Sequence, residues 1–173
     1  MGALRERLAA VRERIARAAE RARRDPAAIT LLDAGSLRKG TAVLSRQVDY
    51  LVCSERFASQ VTGERDVAGH WRDCLKPLRA LSGKVAAVTL GAHGVAFDDG
   101  HEQGHLPALP VKAVDTTAAG DVFHGAFAYG LAKQMALREA LRLATVAAGL
   151  SVQKMGGRLS IPALELVNEK MRP

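Results

Sequence analysis

Aromatic residues are scarce in this 173-residue sequence: one Trp, two Tyr and four Phe, 4% in all. They do not interleave with basic residues, which argues against a stacking platform for single-stranded nucleic acid. Only two cysteines are present, Cys53 and Cys74, with neither a CxxC spacing nor a His partner at metal-ligand spacing. A structural disulfide or zinc site is therefore not expected, and buried thiols are. No stretch reaches the roughly 18 uncharged apolar residues of a membrane-spanning helix. The N-terminus lacks an apolar signal core, and Glu6, Glu13 and Glu20 among its arginines argue against a transit peptide, so a cytoplasmic protein is expected. There is no internal repeat and no Pro/Gly/Ser-rich linker, so one compact domain is the expectation.

What the chain does contain is 48% hydrophobic and 25% charged residues, the balance of a globular domain. The net charge of +7 would suit an anionic partner, but it is unevenly placed. Residues 1–25 hold eight Arg against Glu6, Glu13, Glu20 and Asp25, which supplies +4 of the +7. In the same segment Leu4, Leu8, Val11, Ile15 and Ala18 recur with the rhythm of one helical face, so residues 1–25 read as an Arg-rich amphipathic helix closed by Asp25-Pro26. Its Glu residues sit at pairing distance from Arg, which favours a solvated or partner-binding face over a nucleic-acid surface.

From residue 26 to 173 the pattern alternates. Compact apolar runs predict strands at 29–32, 50–53 and 85–90, with shorter strands at 95–97 and 109–114 separated by the turn Asp98-Asp99-Gly100. Helical periodicity occupies 38–46, 55–62, 67–80, 119–133 and 137–155. Strands alternating with helices imply an α/β fold with a mostly parallel sheet flanked by helices. The stretch richest in chemistry is Val114-Asp115-Thr116-Thr117-Ala118-Ala119-Gly120-Asp121, where small residues run directly into a helix. Such a junction offers unpaired N–H groups at the positive end of a helix dipole, a site for phosphate, with Asp121 in the first turn as a general base. Residue chemistry alone narrowly favours a plainer account, in which Asp121 caps the helix and the small residues allow close packing.

Followed by Val122-Phe123-His124-Gly125-Ala126-Phe127, that stretch resembles the C-terminal signature DTxGAGDxFxGA of PfkB/ribokinase-family carbohydrate kinases. Leu32-Asp33-Ala34-Gly35-Ser36, Cys53-Ser54-Glu55-Arg56-Phe57-Ala58 and Val88-Thr89-Leu90-Gly91 fall in the family's order, so the resemblance covers roughly residues 30 to 165. It implies a ribokinase-like fold, ATP and Mg²⁺ as cofactors, and phosphoryl transfer to a sugar hydroxyl. By the same resemblance Asp121 is the catalytic base and Ala118, Ala119 and Gly120 form the anion hole. Thr89 and Gly91 then match the family's nucleotide-contacting Thr-x-Gly loop. Ala147, Ala148 and Gly149 would let an adenine lie against their helix, although helix packing explains them equally well.

Two residues depart from the family pattern. Ala118 stands at the first glycine of the anion hole, and Phe57 stands at the glutamate of the magnesium motif, for which Glu55, acting through water, is the substitute. Ser54-Glu55-Arg56-Phe57-Ala58 is similar to a sulfofructose-kinase-like branch, and residues 4–32 resemble the start of the pyridoxal-phosphate homeostasis family without its cofactor lysine. The Gly-Gly signature, sugar-contacting residues and lid of the kinase family's first half are absent, so the chain reads as a truncated or fused fragment with a possible tendency to form homo-oligomers. Two other classes stay open: a catalytically inactive nucleotide-binding or dimerising module, and an interaction protein using the basic N-terminal helix. Scattered His70, His93, His101, His105 and His124 give no metal-site spacing.

Overall fold

Strands buried on both faces need apolar side chains at every position, and the runs at 50–54 and 85–89 supply them. In the computed structural model, which describes residues 29–172 together with positions 6, 9, 10, 13, 16, 17, 20 and 21, these runs are central strands. The sheet consists of β1 (Leu31–Ala34), β2 (Tyr50–Ser54), β3 (Val85–Thr89), β4 (Val95–Asp98) and β5 (Gln103–Leu106), in spatial order β1-β2-β3-β4-β5. Helices α1 (Lys39–Ser45), α2 (Glu55–Thr62), α3 (Trp71–Ser82), α4 (Ala119–Ala132), α5 (Leu137–Ser151) and α6 (Leu164–Met171) flank it, with a short 3-10 helix at Gly91–His93.

Alternation along β2 and β3 divides the core. Leu51, Cys53, Ala86 and Val88 face one side and pack with Phe57 of α2 and Leu75 and Leu78 of α3. Val52 and Ala87 face the other and pack with Phe123, Phe127 and Leu131 of α4 and Leu141 and Ala144 of α5. Behind that layer, Val122, Leu143, Val146 and Leu150 meet Val167 of α6. Gly130 lets α4 and α5 approach closely, since a Cβ there would lie 2.9 Å from Ala140 Cβ. Asp49 fixes where the parallel strands begin: it accepts from Thr30 N and Oγ1 at 2.9 and 2.6 Å and pairs with Lys84. The Lys84 ammonium, with the Thr30 hydroxyl, holds its carboxyl below the usual aspartate range.

The α/β class and the parallel pairing β1-β2-β3 agree with the sequence reading. The sheet as a whole is mixed, because β3-β4 and β4-β5 are antiparallel. Tight turns join these last strands, and a parallel return needs a crossover of a dozen or more residues. The turn at Asp98-Asp99-Gly100 leads straight into β5, whose Gln-Gly-His-Leu sequence carries no strand signal. The strand expected at 109–114 is not formed. Pro110 interrupts the segment, and the N–H groups of Val114 and Asp115 donate to Val152 O instead of to a sheet. The helix expected at 67–80 is α3, which starts four residues later, at Trp71, after turns in which Asp66 Oδ1 accepts from Gly69 N. α5 stops at Ser151, short of the expected 155. Most of the Arg-rich helix of residues 1–25 lies outside the described residues; those of its positions that are described are helical and exposed. Cys53 and Cys74 are free and buried, and burial pushes both thiols up. No helix among the described residues is long and apolar enough to cross a membrane.

Candidate functional site

Three parallel strands end at one edge of the sheet, in register from Ala34 beside Cys53 to Ser54 beside Thr89. Ligands of open α/β sheets bind outside such carboxyl ends. Ser54 caps α2, its Oγ accepting from Phe57 N at 3.2 Å and donating to Gly35 O at 2.9 Å, which ties the β1 loop to the end of β2. Thr89 Oγ1 donates to Cys53 O at 3.3 Å. Gly91 opens a short 3-10 turn with φ +54°, and a Cβ placed there would lie 3.9 Å from Glu55 Oε1, so Glu55 and Gly91 are neighbours. Phe57, where the resemblance leads one to expect a glutamate, is a fully buried core ring. Glu55 is then the carboxylate that α2 presents from its first turn.

The run of small residues from Val114 to Asp121 leads into the start of α4. Asp115 shapes it: Oδ1 accepts from Thr117 N at 2.9 Å and Oδ2 from Gly156 N at 2.8 Å. With the two N–H bonds to Val152 O, residues 114–117 are strapped to the end of α5. The Gly156 N–H, followed by the Thr117 groups, holds the Asp115 carboxyl below the usual range. A depressed carboxyl contributes stability above its ordinary value of 3.8 and loses it as pH falls through the folded value. We therefore expect Asp115→Ala to remove part of the acid sensitivity of unfolding below about pH 4 while lowering stability at neutral pH. Urea titrations at pH 3 and pH 7 check this, and an equal loss at both pH values would contradict it.

Ala118 caps α4 in the left-handed region, at φ 62° and ψ 13°. Among the described residues no acceptor is met by the N–H groups of Ala118, Gly120 or Asp121, whereas Ala119 N–H is used by Thr116 O at 3.1 Å. The open donors are thus Ala118, Gly120 and Asp121, and Ala119 contributes its small side chain and not its amide. Asp121 is exposed. It lines, with Ala118, Val122, Ala126, Tyr129 and Arg158, a groove of about 560 Å³. Thr89, Gly91 and Glu55 are not among that groove's walls. His124 of α4 places Nε2 3.5 Å from Asp33 Oδ1 at the end of β1, so α4 lies against the strand ends. Of the small trio on α5, Ala147 lines the groove, while a Cβ on Gly149 would lie 2.8 Å from Leu109 Cβ. Loop packing therefore accounts for Gly149.

A left-handed alanine costs on the order of 1 kcal/mol that glycine avoids. Its methyl also fills the space beside Gly157, where a Cβ would lie only 2.8 Å away. Ala118→Gly is expected to raise stability by about 1 kcal/mol, read by thermal denaturation. An unchanged melting temperature would show that the turn holds no such strain.

Sequence reasoning did not find the roles of Asp115 and His124. Asp115 carried a signal, an Asp two residues before an amide it can accept from in an Asx-turn; its second bond, to Gly156, spans 41 residues. Among the described residues no group of three or more His, Cys, Asp or Glu is placed to hold a metal.

A model of the pfkB family of carbohydrate kinases matches residues 5–164. Ribokinase of Staphylococcus aureus (strain COL) is 37% identical over 128 residues, 70% of this chain and 41% of that protein. Ribokinase of Lactococcus lactis is 47% identical over 85 residues, 49% of this chain and 28% of that protein. Among solved structures, the ribokinase of Thermotoga maritima superposes with a TM-score of 0.71 at 35% identity, covering 82% of this chain and 48% of its own. Arabidopsis thaliana ribokinase, complexed with ribose and ATP, gives 0.72 at 30%, covering 80% and 46%. The chain spans less than half the length of each of these proteins. They lend no support to the sulfofructose-kinase-like and pyridoxal-phosphate-family resemblances of residues 54–58 and 4–32.

Proposed function

This chain belongs to the pfkB family of carbohydrate kinases, and from that premise we propose that it carries the nucleotide-binding and catalytic part of an ATP-dependent, cytoplasmic sugar kinase. The observation that carries the reading is the start of α4: three open N–H groups at 118, 120 and 121, a left-handed turn strapped from behind by Asp115, and a carboxylate in the first turn. The open amides and the helix dipole would receive the terminal phosphates of ATP. Asp121, in the same turn, would accept the proton of an attacking sugar hydroxyl. Thr89 and Gly91, at the end of β3, would border the nucleotide.

The residues present fit a magnesium ion held mainly by phosphate and water and not by a protein cage. Mg²⁺ ordinarily keeps several waters and takes one or two carboxylates plus substrate phosphates, and Glu55 is the carboxylate available beside Gly91. Bound there, the ion would neutralise charge on the phosphates during transfer.

One feature favours binding over turnover in the chain by itself. Of the groove's walls only Asp121, Tyr129 and Arg158 carry polar side-chain groups, too few to orient a polyhydroxylated acceptor. We therefore expect the chain to bind Mg·ATP weakly and to transfer no measurable phosphate to ribose. Titration calorimetry with a coupled kinase assay tests this. Failure to bind Mg·ATP at millimolar concentration would refute the nucleotide reading, and rapid ribose phosphorylation would refute the assignment of acceptor positioning to groups outside these residues.

A further inference from the structure

His124 is the buried polar side chain of α4 that phosphate binding and base catalysis leave without a role. Its side chain is only 14% exposed, and its Nδ1 lies 2.7 Å from Gly120 O. A carbonyl can only accept, so Nδ1 carries the hydrogen and donates it. The other ring nitrogen, Nε2, is buried with no hydrogen-bond partner. Asp33 Oδ1 lies 3.5 Å from it, close enough for ion-pair contact and too far for a good hydrogen bond. Phe123 meets the ring edge-on at 5.8 Å and limits its rotation.

The carbonyl of Gly120 and the N–H of Asp121 belong to one peptide group. A bond donated to the carbonyl fixes the plane of that peptide and polarises it, which makes the opposite N–H a better donor to an anion. We propose that His124 is a positioning residue of the phosphate cradle: from behind α4 it holds the Gly120–Asp121 peptide. The inference rests on the nucleotide reading in taking the anion to be a phosphate of ATP.

Substitutions separate the two ring nitrogens. Asn places its amide near the position of Nδ1 and keeps a donor for Gly120 O; Gln reaches toward Nε2 and loses it; Ala loses both. Mg·ATP titrations of the full chain are expected to show a roughly 5-fold loss of affinity for His124→Ala and His124→Gln, and a change of less than about 2-fold for His124→Asn. A merely structural histidine would make affinity follow melting temperature, so an Asn variant that falls as far as Ala would overturn the proposal. The carbonyl ¹³C shift of Gly120, read by NMR without nucleotide, gives an independent measure. It should move in the Ala and Gln variants and stay in the Asn variant, and a shift indifferent to His124→Ala also overturns the proposal. If the shift follows the donor while wild-type chain binds no Mg·ATP, the nucleotide reading falls and the hold of His124 on Gly120 stands.

Discussion

Gly94→Ala is expected to cost more than about 3 kcal/mol of stability, an exceptional loss for adding one methyl group. Gly94 has φ +95° and ψ −133°, a backbone region essentially reserved for glycine. A Cβ there would lie 2.0 Å from Leu106 O and 2.7 Å from Ala108 N, and both are backbone atoms with no flexible side chain to give way. Nor can the residue move freely, because Leu90 N donates to Gly94 O at 2.7 Å and Gly94 N donates to Gly91 O at 3.2 Å. Relief would require opening the turn that joins β3 to β4, and with it the loop from Thr89 to Gly91. For a chain of this size a loss of 3 kcal/mol corresponds to roughly 6–12 °C in melting temperature. Gly91→Ala is the internal control: its φ of +54° costs about 1 kcal/mol, and its nearest neighbour is the end of the Glu55 side chain at 3.9 Å. Equal melting temperatures for the two variants would contradict the packing assigned to Gly94.

The second large effect is on rate. A general base contributes about 10²- to 10⁴-fold to a transfer reaction, so Asp121→Asn should remove most of the turnover of an assembly that contains this chain and a working acceptor site. A direct construction is a chimaera in which the matched segment of this chain replaces its counterpart in the Staphylococcus aureus ribokinase, 37% identical over 128 residues. If the chimaera phosphorylates ribose, its Asp121→Asn form should lose at least about 100-fold in kcat. Mg·ATP affinity should stay within about 3-fold, since the change removes a negative charge near the phosphates and leaves the amides of the cradle in place. A mutant that keeps its kcat would show that Asp121 is not the base. One that loses nucleotide affinity and rate together would assign it a structural role in the first turn of α4.

Period and length made the central strands legible. Tyr50-Leu51-Val52-Cys53 and Val85-Ala86-Ala87-Val88 are uninterrupted apolar runs because both faces of β2 and β3 are covered by helices. The start of α4 stood out for a different reason: Ala118 to Asp121 form a run of small residues entering a helix, for which residue chemistry alone narrowly favours plain capping and the resemblance to pfkB kinases favours a phosphate site. The left-handed turn at Ala118 goes against alanine's own preference, and no local pattern announces it. The strand β5 was not legible, since Gln103-Gly104-His105-Leu106 is defined by pairing with β4 and not by its own composition. Leu109 to Val114 misled in the opposite direction. Leu109 packs against Gly149 of α5 and Val114 is exposed, and neither joins the sheet. The contacts of Asp115 with Gly156 and of His124 with Asp33 span 41 and 91 residues, so no local pattern announces them.

Titration calorimetry of Mg·ATP into the chain and its Ala118→Gly and Asp121→Asn variants decides whether the start of α4 is a phosphate cradle. Ala118 lines the groove, so removing its methyl should let a phosphate come closer to the open amides and tighten binding several-fold in Ala118→Gly, separately from any gain in stability. Asp121→Asn should bind as well as wild type or slightly better. Unchanged affinity in Ala118→Gly together with abolished binding in Asp121→Asn would contradict the account, placing the anion elsewhere and leaving Asp121 as a group that only holds the helix turn.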